Sequence, residues 1–277
     1  MKIGKLSVLE EIGKGAGSRV YRVRRDEDSH EYALKVVPND NQRSQRFLDQ
    51  VKNEYRIGNR LGHPNIIEFY CLEIEKSWFS GPKNAKLLTQ FAPGRTMDRL
   101  PLLPMPRLLR IFERIASAVA HMHSRQVIHA DLKPSNLILG TETEVKVIDL
   151  GIAQLRGEIR SRIHATREFM APETLSHKVI NERTDIYNFG ATMFRLATLQ
   201  STPPVLTLRK KSEREFEQRY IAANRLNPRV PIDLSELIGD CLNFQPDLRP
   251  ASMNEVHTRL AELARDYNNA SETRNPA

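Results

Sequence analysis

Val127-Ile128-His129-Ala130-Asp131-Leu132-Lys133-Pro134-Ser135-Asn136-Leu137-Ile138-Leu139, or VIHADLKPSNLIL, sets one acid, one lysine and one amide on a short polar loop between apolar runs. That grouping can be a reaction centre. An ordinary turn can also hold Asp, Lys and Asn at this spacing, so the sequence on either side has to decide.

Upstream, the first ninety or so residues alternate as strands do: Leu6–Leu9, Arg19–Val23, Tyr32–Val37, Ile66–Tyr70 and Lys86–Thr89. A small antiparallel sheet is expected. Between its third and fourth strands, Gln42 to Leu61 carries Phe47, Val51, Tyr55 and Ile57 at near-helical spacing and stops at Gly62-His63-Pro64, where proline cannot continue a helix. From Met105 onward the pattern is mostly helical, with Leu108, Leu109, Ile111, Phe112, Ile115, Val119 and Met122 recurring every three or four residues. The joint is Phe91-Ala92-Pro93-Gly94, and the tail from Arg265 to Ala277 reads as polar and frayed.

The turn Ile12-Gly13-Lys14-Gly15-Ala16-Gly17-Ser18-Arg19-Val20 joins two of the strands, and its glycines would let the backbone fold over a phosphate chain without Cβ clashes. A flexible hairpin would use the same glycines. No Gly-Lys-Ser/Thr ends the turn and a strand follows it, which excludes a Walker loop. Lys35 then stands inside an apolar strand, where burial is costly without an anion or a carboxylate partner, unless the side chain snorkels to water. Glu54, on the helix face near Val51 and Ile57, is the preferred carboxylate.

Gly13-x-Gly15, Ala33-x-Lys35, His129-x-Asp131-x-Lys133-Pro134-x-Asn136, Asp149-x-Gly151 and Ala171-Pro172-Glu173 occur in that order. With them the chain resembles the eukaryotic-type (Hanks-type) protein kinases, on the Ser/Thr branch and in the wording of bacterial or stand-alone members, from Leu6 to about Leu263. The resemblance implies an α+β, bilobal fold. A kinase domain would span residues 6–264, with a sheet lobe to about residue 90, a hinge at 90–94, a mainly helical lobe over about 95–264 and a flexible tail over 265–277.

The resemblance also implies ATP as cofactor with Mg²⁺, or alternatively Mn²⁺, and proteins bearing Ser/Thr acceptors as substrates, the chain itself included. Lys35, paired to Glu54, would hold the α- and β-phosphates, while Asp149 and Asn136 would ligate the metal. Asp131 would take or orient the acceptor proton, and Lys133 would offset charge on the transferring group. Ile12, Val20, Ala33 and Ile138 would wall the adenine slot below the turn from Gly13 through Lys14, Gly15, Ala16 and Gly17 to Ser18. Thr89 would stand at the back of the slot, its small size admitting a rear pocket, and Gln90 to Ala92 would bond adenine as the hinge. Thr166 matches a threonine that lies beside the catalytic acid and lysine, Glu173 has an expected ion-pair partner in Arg249, and Asp185 and Gly190 match a helix that supports the loop.

Four positions depart from the family's commonest form. Ser18 replaces a third glycine and Leu150 replaces phenylalanine in the Asp-Phe-Gly motif. Gly58, one turn after Glu54, stands where an apolar side chain often locks the helix, so that helix is expected to be looser. Ala130 replaces an arginine that pairs with a phosphate on the activation segment, removing a control device rather than a reacting group.

Composition sets the remaining bounds. A chain of 277 residues with 40% apolar content can bury a sizeable core. Two distant cysteines without CxxC spacing suggest neither a disulfide framework nor a zinc site, and fit a reducing cytoplasm. No apolar run approaches the roughly 18 residues of a spanning helix. The net charge of +8 is scattered among acids, so no specific nucleic-acid partner is expected, and oligomeric state is open. The principal rival reading is a pseudokinase scaffold that binds ATP without transfer. A small-molecule phosphotransferase is less apt, since it would generally lack Ala171-Pro172-Glu173.

Overall fold

Along Glu31–Pro38 the residues Tyr32 and Leu34 bury on one face of a strand, and Ala33 and Val37 on the other. This two-residue period carries the first half of the fold. The computed structural model describes residues 5–15, 17–38, 42–77, 81–158, 166–176, 180–207 and 212–274, and the chain divides into two units. The first comprises residues 1–93 with 148–153, the second 94–147 with 154–277.

In the first unit, β1 (Leu6–Lys14), β2 (Arg19–Arg25), β3 (Glu31–Pro38), β4 (Phe69–Ser77) and β5 (Gly81–Gln90) form one antiparallel sheet in the order β1-β2-β3-β5-β4. Val23, Tyr32, Leu34, Cys71 and Leu88 pack together on one face. On the other, Val37, Ala85 and Leu87 meet Leu48 and Val51 of helix α1 (Gln42–Gly58). Alternation therefore turns Lys35, two residues before Val37, toward the helix rather than away from it. The helix stops at Gly58, short of the expected Leu61. The fourth strand starts at Phe69 rather than Ile66, because Ile66 and Ile67 are buried at the end of a turn instead of pairing in the sheet.

Gly58 packs against β4: a Cβ on it would collide with the Phe69 ring, so that ring fills the space left by the missing side chain. Gly58→Ala is accordingly expected to lose about 1–3 kcal/mol by overpacking, instead of gaining the ~1 kcal/mol that helix propensity alone would give. Urea denaturation of Gly58→Ala with and without Phe69→Leu checks this. A gain in the Phe69 background would show that the ring does not fill the site.

The second unit contains β6 (Arg95–Thr96), α2 (Met105–Ser124), β7 (Val127–Ile128), β8 (Leu137–Leu139), β9 (Val145–Val147), β10 (Gln154–Leu155), α3 (Pro172–Ser176), α4 (Glu182–Thr198), α5 (Glu213–Arg219), α6 (Ala223–Leu226), α7 (Ile232–Cys241) and α8 (Met253–Arg274). Helix α2 buries the stripe read from the sequence, Leu108 through Met122, and packs against α4 and α8. Helix α4 starts at a capping box in which the Asn181 side chain accepts from the Thr184 N–H while Thr184 Oγ1 accepts from the Asn181 N–H. Gly94 opens the unit at φ +136°, where a Cβ would collide with the Leu139 carbonyl, so only glycine makes this passage.

Two boundaries differ from the sequence reading. Residues 148–153, assigned to the helical lobe, belong to the first unit. Residues 265–274, expected as a frayed tail, continue α8 to Arg274. Both cysteines are free and buried. Among the described residues no helix is long and apolar enough to cross a membrane.

Candidate active site

Lys35 Nζ lies 2.7 Å from Glu54 Oε2 and 3.7 Å from Asp149 Oδ1, all within the first unit. Burial opposes the ammonium, but the carboxylates of Glu54 and Asp149 outweigh it and hold the Lys35 pKa above its ordinary value. Burial holds the Glu54 carboxyl above its ordinary value, an effect that the Lys35 charge offsets only in part. The pair is thus a charged lysine with acidic partners inside an apolar strand, the arrangement that the strand's composition required.

Around it stand the expected nucleotide residues of the same unit. In the turn after β1, the Gly15 N–H donates to the Ser18 carbonyl at 2.8 Å, and the Ser18 hydroxyl occupies the space beside Gly15. Gly17 needs to be glycine for a reason the sequence hid: a Cβ there would run into the Phe47 ring of α1. Gly13 sits against Val20 and beside Lys14, while Ile12 keeps 40% of its surface exposed. Ala33 is buried and pairs in register with Thr89. Gln90, at the end of β5, gives its N–H to the Glu68 carbonyl at 2.9 Å, so that donor is committed; Ala92 is half-buried. Ala16 lies outside the described residues. Ile138 belongs to the second unit, in β8.

The second unit holds the loop VIHADLKPSNLIL and organises it around Asp131. Its Oδ1 accepts from the Thr166 N–H at 3.1 Å and the Thr166 hydroxyl at 2.9 Å. Its Oδ2 accepts from Lys133 Nζ at 2.5 Å and from Asn136 Nδ2 at 3.3 Å. Lys133 also reaches the Thr166 hydroxyl at 2.6 Å, closing a three-residue network of acid, cation and hydroxyl. Asn136 is placed by a single 3-10 turn, Pro134–Asn136, and its Nδ2 donates to the Asp131 carbonyl at 2.9 Å.

The backbone beneath Asp131 is strained. Ala130 has φ +66°, a conformation costing an L-residue roughly 1–2 kcal/mol. Asp185 of α4, fully buried, holds it there: its carboxylate accepts the N–H groups of His129 and Ala130, each at 2.8 Å, and pairs with His123 Nε2 at 2.8 Å. Thr192 Oγ1 adds a bond to the Leu132 carbonyl at 3.2 Å. Gly190 lets α4 approach Cys241 of α7, whose Cβ would otherwise be crowded.

Behind the loop, Arg249 grips Glu173 with two 2.8 Å bonds and also bonds the carbonyls of Asn243, Arg183 and Phe244. All five N–H donors of this buried cation are thus used, and one face of its guanidinium lies over the Tyr187 ring, 4.9 Å from the centroid.

Each unit thus carries one polar cluster, a lysine–glutamate–aspartate set in the first and an aspartate–lysine–asparagine–threonine set in the second. The chain belongs to the protein kinase domain family, whose match covers residues 6–260. It is 24% identical over 97% of its length to a "probable serine/threonine-protein kinase" of Clostridium acetobutylicum, of which it covers 41%. It is 27% identical to Aurora kinase C of Mus musculus, covering 89% of this chain and 88% of that one. Serine/threonine-protein kinase PrkC of Bacillus subtilis is 26% identical over 85% of this chain and 37% of its own. The chain spans less than half the length of the two bacterial relatives.

Proposed function

We propose that this chain is an ATP-dependent protein kinase that moves the γ-phosphoryl group of Mg-ATP to Ser or Thr hydroxyls of proteins, itself included. The observation that carries this reading is the Asp131 carboxylate held by Thr166, Lys133 and Asn136. A carboxylate fixed on both oxygens can accept and orient a hydroxyl proton without reorganising, while Lys133 beside it offsets charge on the transferring group. Lys35, kept charged by Glu54, is suited to the α- and β-phosphates.

The metal donors fit Mg²⁺ chemically. Asp149 has a half-exposed carboxylate, and Asn136, with Nδ2 committed to Asp131, leaves its carbonyl oxygen as the atom a cation would take. When bound, Mg-ATP supplies the phosphoryl group with part of its charge neutralised.

Ala130 is 3% exposed and gives its N–H to Asp185, so position 130 has no cation to meet a phosphate on the activation segment. Ser161 is a hydroxyl of that segment, which runs from Asp149 to Glu173, and Ser161→Ala is expected to keep turnover within about two-fold of wild type. Single-turnover transfer at saturating ATP measures this, and a ten-fold loss with the fold intact would overturn it.

The function itself is tested with purified chain, γ-labelled ATP and a generic basic protein. Label on serine and threonine that disappears when Mg²⁺ is omitted is the expected result. A folded chain that binds ATP but labels nothing would favour the scaffold reading.

A further inference from the structure

Asn53, the residue before Glu54, does something that none of the kinase motifs describes. Its Nδ2 lies 2.7 Å from the Ala153 carbonyl, 3.2 Å from that of Gly151 and 3.3 Å from that of Leu150, all in the first unit. Two amide hydrogens cannot serve three acceptors equally; the bond to Ala153 is the principal one and the longer two are shared. The other end of the amide is fixed as well, since Oδ1 accepts from Arg56 one turn along α1 at 2.8 Å.

The segment so gripped begins at Asp149. That residue sits at φ +63°, an unfavourable conformation for a side-chain-bearing residue, which persists only where surrounding groups over-determine it. Within the segment the Ala153 N–H closes onto the Leu150 carbonyl at 3.1 Å and the Gly151 N–H onto Asp149 Oδ1 at 3.3 Å. Both bonds are internal to the turn; Lys35 reaches its first residue, Asp149, and Asn53 bonds its later carbonyls, with Gln50 on the same helix face lying against Gly151.

We infer that Asn53 is a positioning residue: it clamps the Asp149–Ala153 turn to α1 and thereby sets the Asp149 carboxylate beside Lys35 for a metal-bound phosphate. The inference rests on the kinase reading for what Asp149 binds. Two consecutive residues of α1 then divide the work, Glu54 setting the cation and Asn53 setting the carboxylate. A shift of the helix would disturb both at once.

The test uses the full chain with Asn53→Ala, Asn53→Asp, which keeps the size but puts a second acceptor against three carbonyls, and Asn53→Gln, which restores a donor. Hydrogen exchange without nucleotide or metal is expected to show protection of the Gly151 and Ala153 amides falling about ten-fold in Asn53→Ala and Asn53→Asp, with β3 and β5 unchanged. The Mg²⁺ concentration for half-maximal binding of a fluorescent ATP analogue is expected to rise about ten-fold, while metal-free affinity holds. Asn53→Gln should recover part of both.

Unchanged protection at residues 150–153, or a loss spread equally over β3 and β5, would overturn the inference, as would an unaltered Mg²⁺ requirement. Neither readout needs phosphoryl transfer. A wild type that transfers nothing, yet loosens at this turn in Asn53→Ala, would sink the kinase reading and leave the clamp standing.

Discussion

Asp131→Asn will lower the rate of phosphoryl transfer by about 10²–10⁴-fold, the range a positioned general base supplies. The replacement is nearly isosteric, so the loop should fold, but one carboxylate oxygen becomes an amide nitrogen with two hydrogens. Whichever oxygen is lost, a donor then faces donors: Thr166 N–H and hydroxyl on one side, Lys133 and Asn136 on the other. The charge that pairs with Lys133 disappears as well, leaving that ammonium only neutral acceptors, the Thr166 hydroxyl among them. Lys35, Glu54 and Asp149 are untouched, so affinity for the nucleotide should change by less than about three-fold, the mark of a group that acts in the transition state. Single-turnover transfer together with nucleotide binding separates the two quantities. A rate within ten-fold of wild type would remove Asp131 from the chemistry.

Arg249→Ala is expected to cost about 3–5 kcal/mol of stability, the usual penalty for breaking one side of a buried ion pair. Arg249 is 3% exposed and Glu173 7%, so removal strands a carboxylate away from water together with the carbonyls of Asn243, Arg183 and Phe244. Thr184 alone would still donate to Glu173, at 3.0 Å. Replacing both partners, as in Arg249→Met with Glu173→Met, removes the stranded charge and should recover most of the loss. Urea denaturation monitored by tryptophan fluorescence or circular dichroism measures both. A loss under about 1 kcal/mol in Arg249→Ala would mean that water reaches Glu173 and pays its solvation there.

How much of this was legible beforehand differs from residue to residue. Lys35 pointed to its partner because an ammonium inside YALKVV calls for an anion or a carboxylate unless it snorkels to water, and alternation along β3 turned it toward α1, where Glu54 lies. Arg249 and Glu173 were readable only through the family pattern, since 76 residues separate them. Phe69 against Gly58 escaped because the pattern marks an apolar gap on the helix without saying which strand fills it. Asn53 escaped for a deeper reason: its partners are backbone carbonyls about a hundred residues on, and a carbonyl leaves no trace in residue identity. The end of α8 was misjudged since polarity after Arg265 signals exposure, which a helix tolerates on one side as readily as a frayed tail does.

The passage of residues 148–153 back into the first unit bears on how the chain can be taken apart. The polypeptide crosses between the units three times, after residues 93, 147 and 153. A fragment ending at Pro93 would keep Lys35 and Glu54 but lose Asp149 and every acceptor that Asn53 holds. A single cut therefore separates neither unit whole, and recombination at the joint would exchange half of an acid–base set for one evolved beside different neighbours. Grafting the sheet unit onto another helical unit requires moving six residues from the middle of the chain along with it.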